Sequence, residues 1–252
     1  MTAPVFVVEP GRLDDVAAGD TFLLDGAEGR HAGVVQRRGP GERVDVVDGR
    51  GVRLVGVVAD VHAQGVLLRA EHVLREPEPE VRLVLVQALA KGDRDELAIE
   101  AATEVGVDGV VPWQAERSVV VWRGERAARS RQRWLGTVRT AAKQARRAWV
   151  PDVETALDSR ALAARTADVV AGGGAVLVLH EEATTPLADA PLPAAGDVLV
   201  VVGPEGGIGD DELARLTQAG AHPVRLGPHV LRTSTAGPVA LALLATRLSR
   251  WS

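Results

Sequence analysis

The first third of the chain alternates short apolar runs with turn residues. The apolar runs occupy residues 5–8, 21–24, 44–47, 52–58 and 66–68, and Gly-Asp or Asp-Gly pairs lie between several of them. Runs of this length, bounded by such pairs, are typical of strands joined by tight turns. The pattern therefore predicts a small β-barrel in this part of the chain.

A different pattern begins near residue 81. Apolar runs predict strands at residues 81–89, 109–111, 176–179, 197–202 and 223–226. Longer segments between and after them predict helices at residues 95–105, 125–148, 163–175, 210–220 and 236–251. Strands that alternate with helices in this way are typical of a parallel sheet.

The boundary between the two patterns lies at residues 74–80, where two prolines alternate with glutamates. Neither a helix nor a central strand accommodates proline in this arrangement. We therefore predict a β-barrel domain over residues 1–73, a linker over 74–80 and an α/β domain over 81–252. A chain of 252 residues is long enough for two cores.

Polar or glycine-rich loops follow three predicted strands of the α/β domain, at residues 180–182, 203–207 and 227–235. The carboxyl ends of parallel strands meet at one edge of a sheet, where ligands of α/β proteins bind. Gly206 and Gly207 would let backbone N–H groups approach a ligand closely. The sequence therefore predicts a small-molecule site at this edge.

Composition narrows the chemistry of that site. The chain has no cysteine, which excludes disulfides, a thiolate nucleophile and a zinc–thiolate centre, and no metal is expected. The N-terminus has acids where a secretory signal needs an apolar core, and no apolar run reaches membrane-spanning length. We therefore expect a cytoplasmic protein without a membrane partner.

The charge distribution favours a nucleic-acid partner. Although the net charge is −5, residues 117–147 contain ten basic residues and the single acid Glu125. A local basic surface attracts phosphates whatever the total charge is. An alternative for the helix at 125–148 is a solvated face without a partner.

Four motifs stand in one order along the second part of the chain. They are Lys91-Gly92-Asp93-Arg94, residues 102–107 (ATEVGV), residues 116–120 (ERSVV) and residues 231–236 (LRTSTA). With these motifs the chain resembles the SPOUT-superfamily methyltransferases that modify N3 of a uridine in 16S ribosomal RNA. It departs from the family at Ser234, where Glu is usual, and at Lys143 and Ala145, where Glu and Ser are expected.

The resemblance implies an α/β fold, a trefoil-knotted SPOUT methyltransferase domain preceded by a small PUA-like β-barrel. It also implies S-adenosylmethionine as cofactor and uracil 1498 of 16S ribosomal RNA, within the 30S subunit, as target. A homodimer is implied, with an interface on the last helix through Val239, Leu241, Leu243, Leu244 and Leu248.

The three loops are implied to bind the cofactor. The cofactor-binding residues that we predict are Leu179, His180, Glu181, Gly203, Pro204, Glu205, Gly206, Gly207, Leu226, Gly227, Leu231, Thr233, Thr235 and Ala236. Thr235 is the expected cap of the last helix, and Glu205 either contacts the ligand or fixes its own loop.

Arg232 is the predicted catalytic residue, because a fixed cation beside the target base would stabilise the uridine anion that methylation requires. A structural salt bridge or a helix cap is the alternative role for Arg232. His180 and His229 are candidate bases, and neither is assigned.

Two basic surfaces are predicted to bind RNA phosphates. Their residues are Arg30, Arg37, Arg38, Lys91, Arg94, Arg117, Arg123, Arg133, Arg139, Lys143, Arg146 and Arg147. Trp134 and Trp149 are expected to pack inside the protein, so stacking on bases should not dominate recognition.

Two rival functions remain open. One is a SPOUT enzyme that acts on transfer RNA or on another ribosomal RNA position. The other is a catalytically silent module that binds the ribosome, for which Ser234 in place of Glu is the main argument.

Overall fold

A computed structural model describes residues 3–251, which divide into two compact units. The first comprises the described residues up to Glu78 together with Ala142–Val150, and the second comprises Pro79–Ala141 and the described residues from Pro151 onward. The division at residues 74–80 predicted from the prolines differs from this one, because residues 142–150 return to the first unit.

The return of residues 142–150 has a packing cause within the first unit. Ala148 is buried in a cluster with Val5, Val7 and Val47. The Trp149 indole N–H donates to the Glu76 carbonyl at 3.1 Å. The apolar cluster and this hydrogen bond join the segment to the rest of the first unit, although it lies far away in sequence.

Five strands form the sheet of the first unit, and all five were predicted. They are β1 (Val5–Val7), β2 (Thr21–Asp25), β3 (Arg43–Val47), β4 (Val52–His62) and β5 (Gly65–Arg75). The order is β1-β3-β4-β5-β2, with β1 parallel to β3 and the other pairs antiparallel. A short helix α1 (Gly26–Arg30) and a π-helical turn (His31–Val35) follow β2 and were not predicted.

The second unit contains a seven-stranded parallel sheet, which confirms the predicted sheet class. Its strands are β6 (Val81–Ala88), β7 (Gly109–Gln114), β8 (Asp152–Val153), β9 (Leu157–Asp158), β10 (Ala175–Leu179), β11 (Gly196–Val202) and β12 (His222–Val224). The order is β12-β10-β11-β6-β7-β8, and β9 pairs with β7. The central strands are apolar along their length because both faces of a parallel sheet are covered.

Helices cover this sheet. They are α2 (Arg94–Glu104), α3 (Gly124–Gln144), α4 (Ser159–Ala171), α5 (Asp210–Gln218) and α6 (Thr233–Arg247), with a 3₁₀ turn at Leu187–Asp189. The α3 helix ends at Gln144, earlier than the predicted residue 148, and Arg146 then adopts φ 58°, which a right-handed helix cannot contain. Within residues 3–251 no helix is long and apolar enough to cross a membrane.

The last helix, α6, packs closely against the sheet. A Cβ atom at Gly237 would lie 2.8 Å from Leu85 Cδ1, so a larger residue here would have to displace the Leu85 side chain. Leu241 and Leu244 are fully buried within the single chain. The prediction that they form a dimer interface is therefore wrong, whereas Val239 and Leu243 remain 37% and 44% exposed.

Candidate functional site

A cavity of about 540 Å³ lies at the carboxyl ends of β10, β11 and β12. The loops that follow these strands surround it, as the order of parallel strands predicts. Its predicted lining residues are Leu179, His180, Glu181, Gly203, Pro204, Glu205, Gly207, Leu226, Gly227, Leu231, Arg232, Thr233 and Ala236. The structure thus brings most of the predicted cofactor residues to one place.

Gly206 and Thr235 are predicted cofactor residues that do not line the cavity. Gly206 faces Arg117, because a Cβ atom built on Gly206 would lie 3.3 Å from Arg117 Cβ. Thr235 lies in the first turn of α6 with its residue exposed. The course of the backbone places both residues outside the cavity lining, and the sequence does not reveal that course.

The glycine loop after β11 is shaped by a tight turn. The Gly207 N–H donates to the Pro204 carbonyl at 2.9 Å, and Gly207 adopts φ +72°. This left-handed conformation strains any residue with a β-carbon. A Cβ atom at Gly203 would lie 2.7 Å from Ile208 Cγ1, so the start of the loop packs closely against Ile208.

A buried hydrogen-bond relay joins the glycine loop to the start of α6. The Gln87 Nε2 donates to Thr233 Oγ1 at 2.8 Å, and Thr233 Oγ1 donates to the Gly203 carbonyl at 2.9 Å. Gln87 was not predicted, although a buried amide near the end of the otherwise apolar run from Leu83 was a possible signal.

The start of α6 corrects one prediction. Arg232 is the N-cap residue, and its carbonyl accepts the N–H groups of Thr235 and Ala236. Thr235 was predicted to cap the helix, which is wrong because Thr235 lies inside the first turn. The hydroxyl of Thr233 does not cap the helix either, since it is engaged with Gly203.

The Arg232 side chain lines the cavity and is exposed. Within residues 3–251 it forms no ion pair or side-chain hydrogen bond. The alternative of a structural salt bridge is therefore not observed in the described part of the chain, whereas the alternative of a helix cap holds for the Arg232 backbone but not for its side chain. The guanidinium keeps its hydrogen-bonding capacity for a ligand.

Glu205 connects two loops at the edge of the cavity. Its Oε1 accepts Arg94 Nη1 at 2.7 Å and the Lys91 N–H at 3.1 Å. Burial opposes ionisation, but hydrogen bonds from its own amide, from Arg94 and from Lys91 outweigh burial and lower the pKa of Glu205. Glu205 thus fixes the loop of Lys91 to the glycine loop.

The two histidines both line the cavity. His180 Nδ1 accepts the Glu182 N–H at 3.3 Å, which leaves Nε2 for another partner. His229 lies in an exposed stretch of the loop after β12. Arg225 lines the cavity as well and was not predicted, although a basic residue directly after a strand end was a possible signal.

Comparison with known proteins identifies the family. A family model described as an RNA methyltransferase domain matches residues 76–245, which is more than half of the chain. The chain belongs to this RNA methyltransferase family. The resemblance inferred from the four motifs is confirmed at the level of the family.

Individual members of the family match along nearly the whole chain. A Mycobacterium bovis protein named ribosomal RNA small subunit methyltransferase E is 48% identical over 253 residues, covering 100% of this chain and 94% of its own length. A Legionella pneumophila methyltransferase solved with bound SAM is 28% identical, with a TM-score of 0.83 and 98% of each chain covered. The ribosomal RNA small subunit methyltransferase E of Neisseria gonorrhoeae, solved with S-adenosyl methionine, is 27% identical, with the same TM-score and coverage.

Several predicted RNA-binding residues of the second unit have partners inside the protein. Arg117 Nη1 donates to the Gly206 carbonyl at 3.0 Å, so Arg117 holds the glycine loop. Arg133 Nε pairs with Glu96 at 2.5 Å, and Arg139 is half-buried. Arg123 is exposed directly before α3, and Lys91 and Arg94 are exposed in the loop before α2 and at its start.

The predicted RNA-binding residues of the first unit divide in the same way. Arg30, Arg37 and Arg146 are exposed. Arg38 pairs with Glu42 at 3.0 Å, and Lys143 pairs with Glu28 at 2.6 Å while its Nζ lies over the Phe6 ring. Arg147 is half-buried. Phosphate contact by the paired residues would compete with these intramolecular bonds.

The two tryptophans pack as predicted. Trp134 is fully buried and stands edge-on to Trp122, with 5.1 Å between ring centroids. The ring of Trp149 lies against Gly51, where any side chain would collide with it.

Behind the glycine loop lies a buried carboxylate, Glu212, which is fully inaccessible to solvent. Its oxygens accept the N–H groups of Glu116 at 2.8 Å and Gly209 at 3.3 Å, and the Ser159 hydroxyl. Glu212 therefore ties the end of the glycine loop to the loop after β7. Its position at the third residue of α5 was the available signal, since such a glutamate commonly closes a capping box.

Proposed function

We propose that the protein transfers a methyl group from S-adenosylmethionine to N3 of a uridine in 16S ribosomal RNA, within the 30S subunit. The observation that carries the proposal is a cavity formed by three strand ends, with the guanidinium of Arg232 in its wall and no partner for it among the described residues. The target that the resemblance implies is uracil 1498. A ribosomal substrate implies action in the cytoplasm.

The cavity suits a cofactor of this chemistry. Its volume lies within the range of cofactor sites. Apolar side chains of Leu179, Val202 and Ile208 offer a surface for a purine ring. The positive φ of residue 207 favours glycine, and because glycine has no side chain a ligand can approach the backbone there.

The proposed chemistry needs no metal. When bound, S-adenosylmethionine would supply a methyl group whose bond to a positively charged sulfur breaks as the bond to N3 forms, so that the neutral thioether leaves. The uridine loses its N3 proton and the methyl group forms the new bond to N3. Arg232 stabilises the negative charge that develops on the base, and the cavity walls hold the reacting atoms in line. The base that takes the proton is unassigned between His180 and His229.

The finer features of the fold are also proposals. A trefoil knot is supported by the course of the chain, which passes β11, then β12 on the far side of β10, and returns in α6 against β6 and β11. True knots are rare in proteins, so a knotted path would distinguish this fold from most α/β folds. We also infer that the first unit is a PUA-like barrel that binds RNA, supported by its five-stranded sheet and exposed arginines.

A homodimer is the proposed assembly. The support is the exposure of Val239 and Leu243 on α6, the helix that begins at the cavity. Apolar side chains that remain exposed along one helix commonly mark an interface.

The test is transfer of labelled methyl from S-adenosylmethionine to 30S subunits, naked 16S ribosomal RNA and transfer RNA. A methyl group on N3 removes a base-pairing hydrogen, so reverse transcription stops there and maps the nucleotide. A stop at one uridine of 16S ribosomal RNA, absent from a deletion strain, supports the proposal. Label in transfer RNA supports the rival enzyme, and cofactor binding without transfer supports the silent module.

A further inference from the structure

We propose that Gln87 is a positioning residue, which sets the glycine loop and Arg232 relative to each other through the hydroxyl of Thr233. The inference rests on the proposed function, because it concerns the same cavity. Gln87 does not line that cavity, and it would act only through Thr233 and Gly203.

The hydrogen bonds at Gln87 have one direction. Its Nε2 lies 2.8 Å from Thr233 Oγ1 and 3.2 Å from the Ala88 carbonyl. A carbonyl only accepts, so the nitrogen of the amide must face this side. Thr233 therefore accepts from Gln87, and its single hydroxyl hydrogen is directed to the Gly203 carbonyl at 2.9 Å.

The Gly203 carbonyl is a sensitive point of the glycine loop. The next residue is Pro204, so the peptide group between them has no N–H and the carbonyl is its only hydrogen-bonding atom. The Thr233 hydroxyl therefore fixes the orientation of this peptide group. Gly203 and Thr233 both line the cavity, and Arg232 directly precedes Thr233.

Packing alone does not account for an amide at residue 87. Gln87 is fully buried, and its Oε1 has no hydrogen-bond partner within residues 3–251. A buried acceptor without a partner is unfavourable, and an apolar side chain of similar shape would avoid it. Such an apolar side chain could not donate a hydrogen bond to Thr233, as Gln87 Nε2 does.

The decisive variant is Gln87→Glu. A neutral carboxyl can donate to Thr233 as the amide does, whereas an ionised carboxylate can only accept. The Thr233 hydrogen would then turn to the carboxylate and the Gly203 carbonyl would lose its donor. Burial raises the pKa of a carboxyl introduced here, so both forms can be sampled within the pH range of the assay.

We expect the single-turnover rate of Gln87→Glu, relative to the wild type, to fall about tenfold between pH 6 and pH 8.5, the effect of losing one hydrogen bond. Gln87→Leu should show a lower rate with no change in this ratio across pH. Thr233→Val should lower the rate as well. Gln114→Glu, at the end of the neighbouring strand β7, is the matched control and should follow the wild-type pH profile.

Cofactor affinity and thermal stability are measured for each variant at both pH values. The inference is overturned if the ratio of the Gln87→Glu rate to the wild-type rate is the same at both pH values, or if the rate changes only as folding stability does. The proposed function is unaffected by that result, because the wild type still transfers methyl. If the wild type itself neither binds S-adenosylmethionine nor transfers methyl, the proposed function fails first and this inference fails with it.

Discussion

Asp95 offers a prediction of how stability changes with pH. It lies in the first turn of α2, next to the cavity residue Arg94, and is 2% exposed. Burial raises the pKa of Asp95 from its ordinary 3.8 to about 6, although the N–H groups of Glu96 and Ala90 partly oppose the rise. The folded protein therefore holds a proton on Asp95 where the unfolded chain has released it.

The sign and size of the effect follow from linkage. Because the folded state binds the proton more tightly, the contribution of Asp95 to stability is greatest below pH 4 and is lost as pH rises through 6. The full loss is about 3 kcal/mol, since each pKa unit is about 1.4 kcal/mol. About half of it has occurred by pH 5, so stability falls by about a further 1.4 kcal/mol between pH 5 and pH 8.

The perturbation is Asp95→Asn, which removes the titration but retains a carbonyl oxygen for the backbone N–H groups. Urea unfolding, followed by circular dichroism and tryptophan fluorescence, gives the free energy of unfolding at both pH values. We expect the variant to gain about 1.4 kcal/mol over the wild type on going from pH 5 to pH 8. Asp93→Asn, at an exposed residue of the same loop, controls for charge removal. An Asp95→Asn difference that is equal at both pH values would refute the reasoning.

Three further predictions concern the cavity. Gly207→Val should weaken S-adenosylmethionine binding at least about tenfold, because Gly207 has φ +72° and lines the cavity. Gly206→Ala should weaken binding less, because Gly206 does not line the cavity. Calorimetry that shows the reverse order of affinities would contradict this prediction. Arg232→Ala should slow single-turnover methyl transfer about a hundredfold to a thousandfold with little change in cofactor affinity. The rate of Arg232→Lys should lie between those of the wild type and Arg232→Ala. A wild-type rate for Arg232→Ala would exclude a catalytic role for Arg232. Ser234→Glu should leave transfer within about tenfold, and a large gain in rate would instead favour the silent module.

Much of the second unit could be predicted from apolar runs and loop composition. Residues 198–202 are apolar without interruption, as in a strand that is buried on both faces, and they form most of β11. The loop after such a strand is placed by the geometry of a parallel sheet. Most of the cavity lining was therefore foreseeable without a tertiary contact.

The residues that were missed depend on contacts between distant parts of the chain. Gln87 and Thr233 are 146 residues apart, and no local pattern links them. α6 begins at Thr233 and not at the predicted residue 236, so the residue that makes this distant contact is the first of the helix. Arg117 is a second example. Its charge led us to predict RNA binding, whereas its hydrogen bond to the Gly206 carbonyl joins residues that are distant in sequence.

The return of residues 142–150 to the first unit bears on how this protein could be divided. A fragment that ends at Glu78 would lack Ala148 and so would uncover Val5, Val7 and Val47. It would also lack Lys143, whose ammonium neutralises Glu28. A single cut or recombination point in the proline-rich segment therefore cannot yield an intact first unit. Exchange of that unit between related enzymes requires two crossovers, and its isolated expression requires a second segment joined to the first.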